Sequence, residues 1–153
     1  GGISGLRQIG EVASRGFEIE ATAEIAEGWK LRGGYAYNET EQVAPSGDPL
    51  DGNELADAPN HLASLWIDRE FGNGLRLGGG VRYIGERYID AANSAELDSV
   101  TLIDLAAGYT ADNVEMSLNL TNLTDEVYVS ACGFSYCSYG EGRAVSARVA
   151  YTW

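Results

Sequence analysis

The sequence predicts an all-β fold: an antiparallel, up-and-down sheet of about seven strands, forming part of a larger barrel. Three observations carry this. Apolar and polar residues alternate with period two over most of the chain, the pattern of strands with one apolar and one polar face. The connections between the alternating runs are by turns tight and long. No apolar run approaches the roughly 20 residues that a membrane-spanning helix needs, so any membrane residence must come from strands. Composition agrees with a folded, aromatic-rich sheet protein: 44% apolar residues, 20 Gly, and 9 Tyr and 3 Trp against 3 Phe. The net charge of −13 argues against nucleic acid or an anionic lipid surface as the main partner.

Taken in chain order, Phe17, Ile19, Ala21, Ala23 and Ile25 alternate with Glu18, Glu20, Thr22 and Glu24. Trp29, Leu31, Gly33, Tyr35 and Tyr37 alternate with Lys30, Arg32, Gly34 and Ala36 after a short turn at Ala26-Glu27-Gly28. Pairing Ile25 with Trp29, Ala23 with Leu31, Ile19 with Tyr35 and Phe17 with Tyr37 also sets Glu24 opposite Lys30, so both faces support one hairpin. A second hairpin turns at Gly72-Asn73-Gly74 and places Trp66 across from Gly80, an aromatic cover for a strand glycine. A third turns at Ala111-Asp112, aligning Ile103, Leu105, Ala107 and Tyr109 with Leu120, Leu118, Met116 and Val114, and Asp104 with Asn119. The last run alternates Val145, Ala147, Val149, Tyr151 and Trp153 with Ala144, Ser146, Arg148, Ala150 and Thr152. The expected strands are 6–26 (with Arg15-Gly16 a candidate bulge), 29–40, 60–71, 74–88, 99–110, 113–122 and 141–153.

The long connections, 41–59, 89–98 and 123–140, are polar and rich in Gly, Pro, Asn and Asp. Tight turns on one rim and long loops on the other describe an outer-membrane barrel, whose apolar face meets lipid. Trp29 and Trp153 lie at the tight-turn end of apolar faces, where an interfacial aromatic girdle belongs. Runs of 10–15 residues also suit a tilted membrane span better than the roughly 5–6 usual in globular sheets. Cys132 and Cys137 sit in the Gly/Ser/Tyr segment CGFSYCSYG. A metal site lacks a second ligand pair there, and a local disulfide is preferred to two free thiols, which implies an oxidising compartment. The start, GGISGLRQIG, has no basic segment, apolar stretch or cleavage site of a leader, so the chain is expected to be part of a longer protein.

The run NLTNLTDEVYVSACGFSYCSYGEGRAVSARVAYTW resembles the end of ferrichrome-type TonB-dependent siderophore receptors. Asn119, Asn122, Leu123, Asp125, Tyr128, Cys132, Cys137, Gly140, Arg143 and Trp153 fill the places of that pattern. Earlier stretches match in order: Gly10-Glu11-Val12, Ser14 through Glu20, Ala58 through Trp66, and Gly80 through Gly85. The resemblance implies a barrel of about 22 strands, of which 1–153 is the C-terminal part, with the plug domain outside this chain. It implies a ferric siderophore as ligand, TonB as partner through the missing N-terminal region, outer-membrane lipid around the barrel, and transport without catalysis or cofactor. It also implies that Val149, Tyr151 and Trp153 form the C-terminal signal read by the outer-membrane assembly machinery. The alternative is a small outer-membrane barrel acting as an adhesin or porin-like protein; a soluble lipocalin-like barrel would turn its apolar face inward.

Within the Cys loop, Phe134, Tyr136 and Tyr139 are the candidate ligand contacts, because aromatic faces bury a bulky chelate with little entropy lost; the alternative is that they only pack the loop. Arg143 and Arg148 read as structural, with Glu18, Glu20 or Glu115 as candidate partners of Arg148. Glu41, Asp48, Asp51, Glu54 and Asp57 match no recognised calcium cage and read as solvated surface. His61 and Ser64 lack an oxyanion motif. Gly78-Gly79-Gly80 lacks the Lys-Ser/Thr and helix of a phosphate loop, and reads as strand glycine.

Overall fold

A computed structural model describes residues 11–133 and 136–153. Seven strands form one antiparallel sheet in the order β1 (Glu11–Ala26), β2 (Trp29–Val43), β3 (His61–Glu70), β4 (Leu75–Ile84), β7 (Val100–Ala111), β8 (Val114–Thr121) and β11 (Ala144–Tyr151). The long loops carry two small hairpins, β5 (Arg87–Tyr88) with β6 (Glu96–Leu97), and β9 (Val129–Cys132) with β10 (Cys137–Tyr139). Sequential neighbours pair throughout, as an up-and-down wall requires.

The expected pairings of Phe17 with Tyr37, Ile19 with Tyr35, Ala23 with Leu31 and Glu24 with Lys30 are all present. Trp29, however, pairs with Ala26 and not Ile25, because the register shifts between Glu24 and Ala26. The bulge therefore lies at Ile25. Arg15-Gly16 is regular, with Gly16 opposite Asn38. Glycine is required there for a different reason: a Cβ would stand 2.1 Å from the Tyr37 carbonyl oxygen.

In the second hairpin Trp66 pairs with Gly80, and its ring covers Gly80 and Gly78, where Cβ atoms would lie 2.5 and 2.9 Å from ring carbons. The intervening Gly79 is filled from the other face by Leu105. β4 ends at Ile84, four residues before the expected end, as Gly85 turns off to donate its N–H to the His61 carbonyl at 2.8 Å. The third hairpin is displaced by two residues from expectation: Leu105 pairs with Leu120, Ala107 with Leu118, Tyr109 with Met116 and Ala111 with Val114. The two-residue turn is Asp112-Asn113, with Asp112 in the left-handed region (φ 48°) that Asp tolerates. A two-residue slip leaves each side chain on its face. Asp104 consequently loses Asn119, which pairs with Ala106, and accepts the Asn122 backbone N–H at 2.9 Å.

The two faces are chemically distinct. One carries Phe17, Ile19, Leu65, Ile67, Leu77, Val81, Leu105, Met116, Leu118, Val145 and Val149, all exposed. Among the described apolar residues only Val100 and Leu102 are buried, so the sheet encloses no apolar interior of the kind a soluble barrel fills. The other face carries the ion pairs Arg32–Asp68 (3.1 Å) and Arg82–Asp104 (2.6 Å), the latter bidentate. Half-exposed pairs of this kind stabilise by at most about 1 kcal/mol in water; their larger consequence is to mark the hydrated face.

Each end of the apolar face is rimmed by aromatics. Phe17, Tyr35, Tyr37 and His61 cluster toward the long loops, with ring centroids 5.1–6.1 Å apart. Trp29, Phe71, Tyr109 and Tyr151 lie near the tight turns. At roughly 3.3 Å per residue, Trp29 to Tyr37 spans on the order of 26 Å along the strand, enough for a tilted crossing of most of the hydrocarbon layer. The tight-turn rim is stitched laterally: the carbonyls of Gly28, Gly74 and Asn113 accept from Glu70, Thr110 and Thr152 at 2.8, 3.0 and 2.9 Å.

Candidate functional site

At the opposite rim the three long loops are knitted into one platform, whose contacts begin from polar-face positions of the strands. Thr40 and Gln42 end β2 on that face and are buried. The Thr40 hydroxyl accepts the Leu55 N–H at 3.1 Å, while Gln42 Nε2 donates to the Glu54 and Ala91 carbonyls at 3.0 and 2.8 Å. Asn93, held at φ 52°, exchanges hydrogen bonds with the Glu54 backbone (2.8 and 3.0 Å), and Asn53 Nδ2 reaches the Ala91 carbonyl at 3.0 Å. These contacts join the first loop to the second. Asp57 joins all three: its N–H donates to the Tyr88 carbonyl at 2.9 Å and its carboxylate accepts the Cys132 N–H at 3.3 Å.

Arg87 fastens the second loop to the third. It is only 5% exposed, and its Nη2 donates to the Val129 and Ser130 carbonyls at 2.7 Å each. The alternation places Arg87 at the end of the expected strand 74–88, whereas it lies in the two-residue β5, beyond the end of β4 at Ile84. Asp90 caps a turn in the same loop: the Ser94 hydroxyl and backbone N–H both donate to its carboxylate, which holds that carboxyl below its ordinary value.

The motif at 119–143 folds into a brace for the Cys hairpin. Asn122 is 2% exposed and left-handed (φ 50°). Its side-chain amide donates to the Glu126 and Glu141 carbonyls at 2.9 and 3.0 Å and accepts the Glu126 N–H at 2.8 Å. Asp125 accepts the Arg143 N–H at 2.8 Å and pairs with its guanidinium at 3.8 Å. Gly140 is needed beneath the Tyr128 ring, where any Cβ would overlap the ring carbons, and its N–H donates to the Tyr128 carbonyl at 2.8 Å. Arg143 thus joins the brace through its backbone N–H and, at longer range, through its exposed guanidinium. Arg148 makes no ion pair among the described residues: Glu18 and Glu20 lie on the opposite edge strand, and Glu115 faces Ala150.

Cys132 and Cys137 are joined in a disulfide, paired across β9–β10. The disulfide, Gly133 and Tyr136 line a cleft of about 830 Å³ with Ala56, Ile89 and Ala91 from the other two loops. Tyr136 and Tyr139 are 74% and 73% exposed, but only Tyr136 lines the cleft. Phe134 lies outside the described residues. The loop acids have local work: Asp48 accepts the Leu50 N–H, Asp51 the Ala44 N–H, and Glu54 the Asn60 amide, at 3.0, 2.9 and 2.9 Å. His61 and Ser64 do not meet; His61 Nδ1 bonds the Tyr35 hydroxyl at 2.8 Å on the apolar face, and Ser64 lies on the other face beside Gly34.

Known proteins share this architecture. Residues 1–123 match the family model described as TonB dependent receptor-like, beta-barrel. The ferrioxamine receptor of Yersinia enterocolitica is 38% identical over 150 residues, covering 93% of this chain and 21% of that protein. The ferrichrome outer membrane transporter/phage receptor of Escherichia coli K12 is 37% identical over 152 residues, covering 93% and 20%. The crystal structure of the siderophore receptor PiuA from Acinetobacter baumannii superposes with a TM-score of 0.79 at 31% identity, covering 92% of this chain and 22% of that one. The chain therefore spans about a fifth of the length of these three relatives. With its exposed apolar face, polar opposite face and looped rim, the chain belongs to the TonB-dependent receptor β-barrel family of the bacterial outer membrane.

Proposed function

We propose that this chain is the C-terminal part of the barrel wall of a receptor importing a ferric siderophore, of the hydroxamate class, across the outer membrane. The observation carrying this reading is the three-loop platform with Tyr136 and the disulfide at its cleft, set on the hydrated face where a ligand entering the barrel would pass. Receptors similar to the chain support it, being named for ferrioxamine and ferrichrome. A plug domain and the contact with TonB belong to the rest of the longer protein, and the role is transport, not catalysis. A self-contained adhesin or porin-like barrel fits poorly with relatives about five times as long.

Tyr136 and Tyr139 supply aromatic surface to the chelate in this reading. In the full-length receptor, Tyr136→Ala is expected to weaken ferric-siderophore binding about tenfold, the scale of losing one aromatic anchor, and Tyr139→Ala to weaken it less. Equilibrium binding to purified receptor measures both; affinity unchanged by the two together removes the tyrosines from the site. Val149, Tyr151 and Trp153 are proposed as the segment read during barrel assembly. Trp153→Ala should lower the amount of heat-modifiable receptor in outer membranes, and normal amounts would count against that role.

A further inference from the structure

Arg69 is a cation on the wrong face. Its register row runs Trp29, Arg69, Leu77, Ala107, Leu118 and Ala147 across the apolar side of the sheet, and every other member is apolar. Its guanidinium carbon lies 5.0 Å from the Trp29 ring and 4.8 Å from the Phe71 ring. Among the described residues Arg69 makes no ion pair and its Nε has no hydrogen-bond partner. Its neighbour Glu70 points to the other face, where it pairs with Arg76 in the ladder. Two aromatic faces hold the planar group by cation–π attraction, leaving the in-plane N–H groups of the two terminal nitrogens as unfilled donors.

Trp29 and Phe71 adjoin the tight turns, so the row sits at the membrane–water boundary on the short-turn side, which in this class of barrel is periplasmic. The chemistry that meets a guanidinium at that depth is a phosphodiester, which matches its fork bidentately. We propose that Arg69, clamped by Trp29 and Phe71, binds the phosphate of a phospholipid in the periplasmic leaflet. The inference rests on the apolar face being the lipid face.

Full-length receptor, delipidated in detergent and titrated with phosphatidylglycerol, tests it by native mass spectrometry. The wild type is expected to hold one more lipid than Arg69→Gln, which binds that lipid about tenfold more weakly, the scale of one charge-assisted contact. Arg69→Lys keeps the charge but not the stacked fork and should bind severalfold more weakly; it carries the test alone if Arg69→Gln does not fold. Arg76→Gln, on the polar face of the same rim, should bind as wild type. Lipid retention that is equal in the Arg69 variants and the wild type overturns the site, as does an equal loss in Arg76→Gln. Displacement of the lipid by millimolar inorganic phosphate would assign the site to a free anion and overturn it too. A receptor that stays heat-modifiable and detergent-inserted while indifferent to Arg69 loses this lipid site but remains a membrane barrel.

Discussion

Gly74→Val is expected to remove most folded receptor from the outer membrane, while Gly72→Ala, two residues away in the same turn, leaves it intact. Gly74 combines a left-handed backbone (φ 85°) with a would-be Cβ only 2.1 Å from the Thr110 carbonyl oxygen, which belongs to the adjoining strand. A β-branched side chain there meets backbone strain and a backbone clash together, a cost of more than about 3 kcal/mol. Neither partner can rotate away, because the Gly74 carbonyl also accepts the Thr110 N–H and fixes the approach. A Cβ on Gly72 meets nothing within 4 Å, so alanine there should change stability by less than about 0.5 kcal/mol. The heat-modifiable band on electrophoresis of outer-membrane fractions reads both. Equal amounts of folded Gly74→Val and wild type would show that the turn does not dock on β7 as described.

Asn122→Ala is expected to free the Cys hairpin without unfolding the wall. The substitution deletes three side-chain hydrogen bonds at a nearly buried position and leaves two backbone carbonyls and an N–H short of a partner. It also puts alanine at φ 50°. Loss of bonds and strain together amount to at least about 3 kcal/mol, felt locally. Limited proteolysis should cut within 122–143 far faster than in wild type, and ferric-siderophore affinity should fall with it. Asn122→Gly separates the causes: it relieves the strain but not the lost bonds, so it should be cut at an intermediate rate. Wild-type protease resistance in Asn122→Ala would mean that the brace is dispensable.

The wall was legible because period two constrains both faces at once. Trp66 over Gly80 and Glu24 opposite Lys30 followed from the same alternation that made the strands. Alternation is blind to slips of two, which is why the third hairpin moved from an Ala111-Asp112 turn to Asp112-Asn113 while every residue kept its face. It is equally blind to a single extra residue beside a turn, so the bulge at Ile25 was not visible and Arg15-Gly16 looked irregular when it is not.

The loop platform was legible only as motif. Asn122, Asp125, Tyr128, Gly140 and Arg143 stand in the pattern of the resemblance, but nothing in their spacing revealed that they brace one another. Asp57 lies in an expected loop and Arg87 at the end of an expected strand that stops short of it; the backbone partners through which they tie the loops together are 31–75 residues away, contacts that no local pattern encodes.

The direction of the two faces is the claim on which transport, lipid contact and the loop platform all depend. Single cysteines introduced along β3 in the full-length receptor, spin-labelled and reconstituted in bilayers, test it most directly, since the two cysteines of this chain are tied in a disulfide. Labels at Ala63, Leu65 and Ile67 should be more accessible to dissolved oxygen, which partitions into lipid, and labels at Leu62, Ser64 and Trp66 to a water-soluble nickel chelate. The opposite alternation, or accessibility that does not alternate along the strand, would contradict a lipid-facing apolar wall.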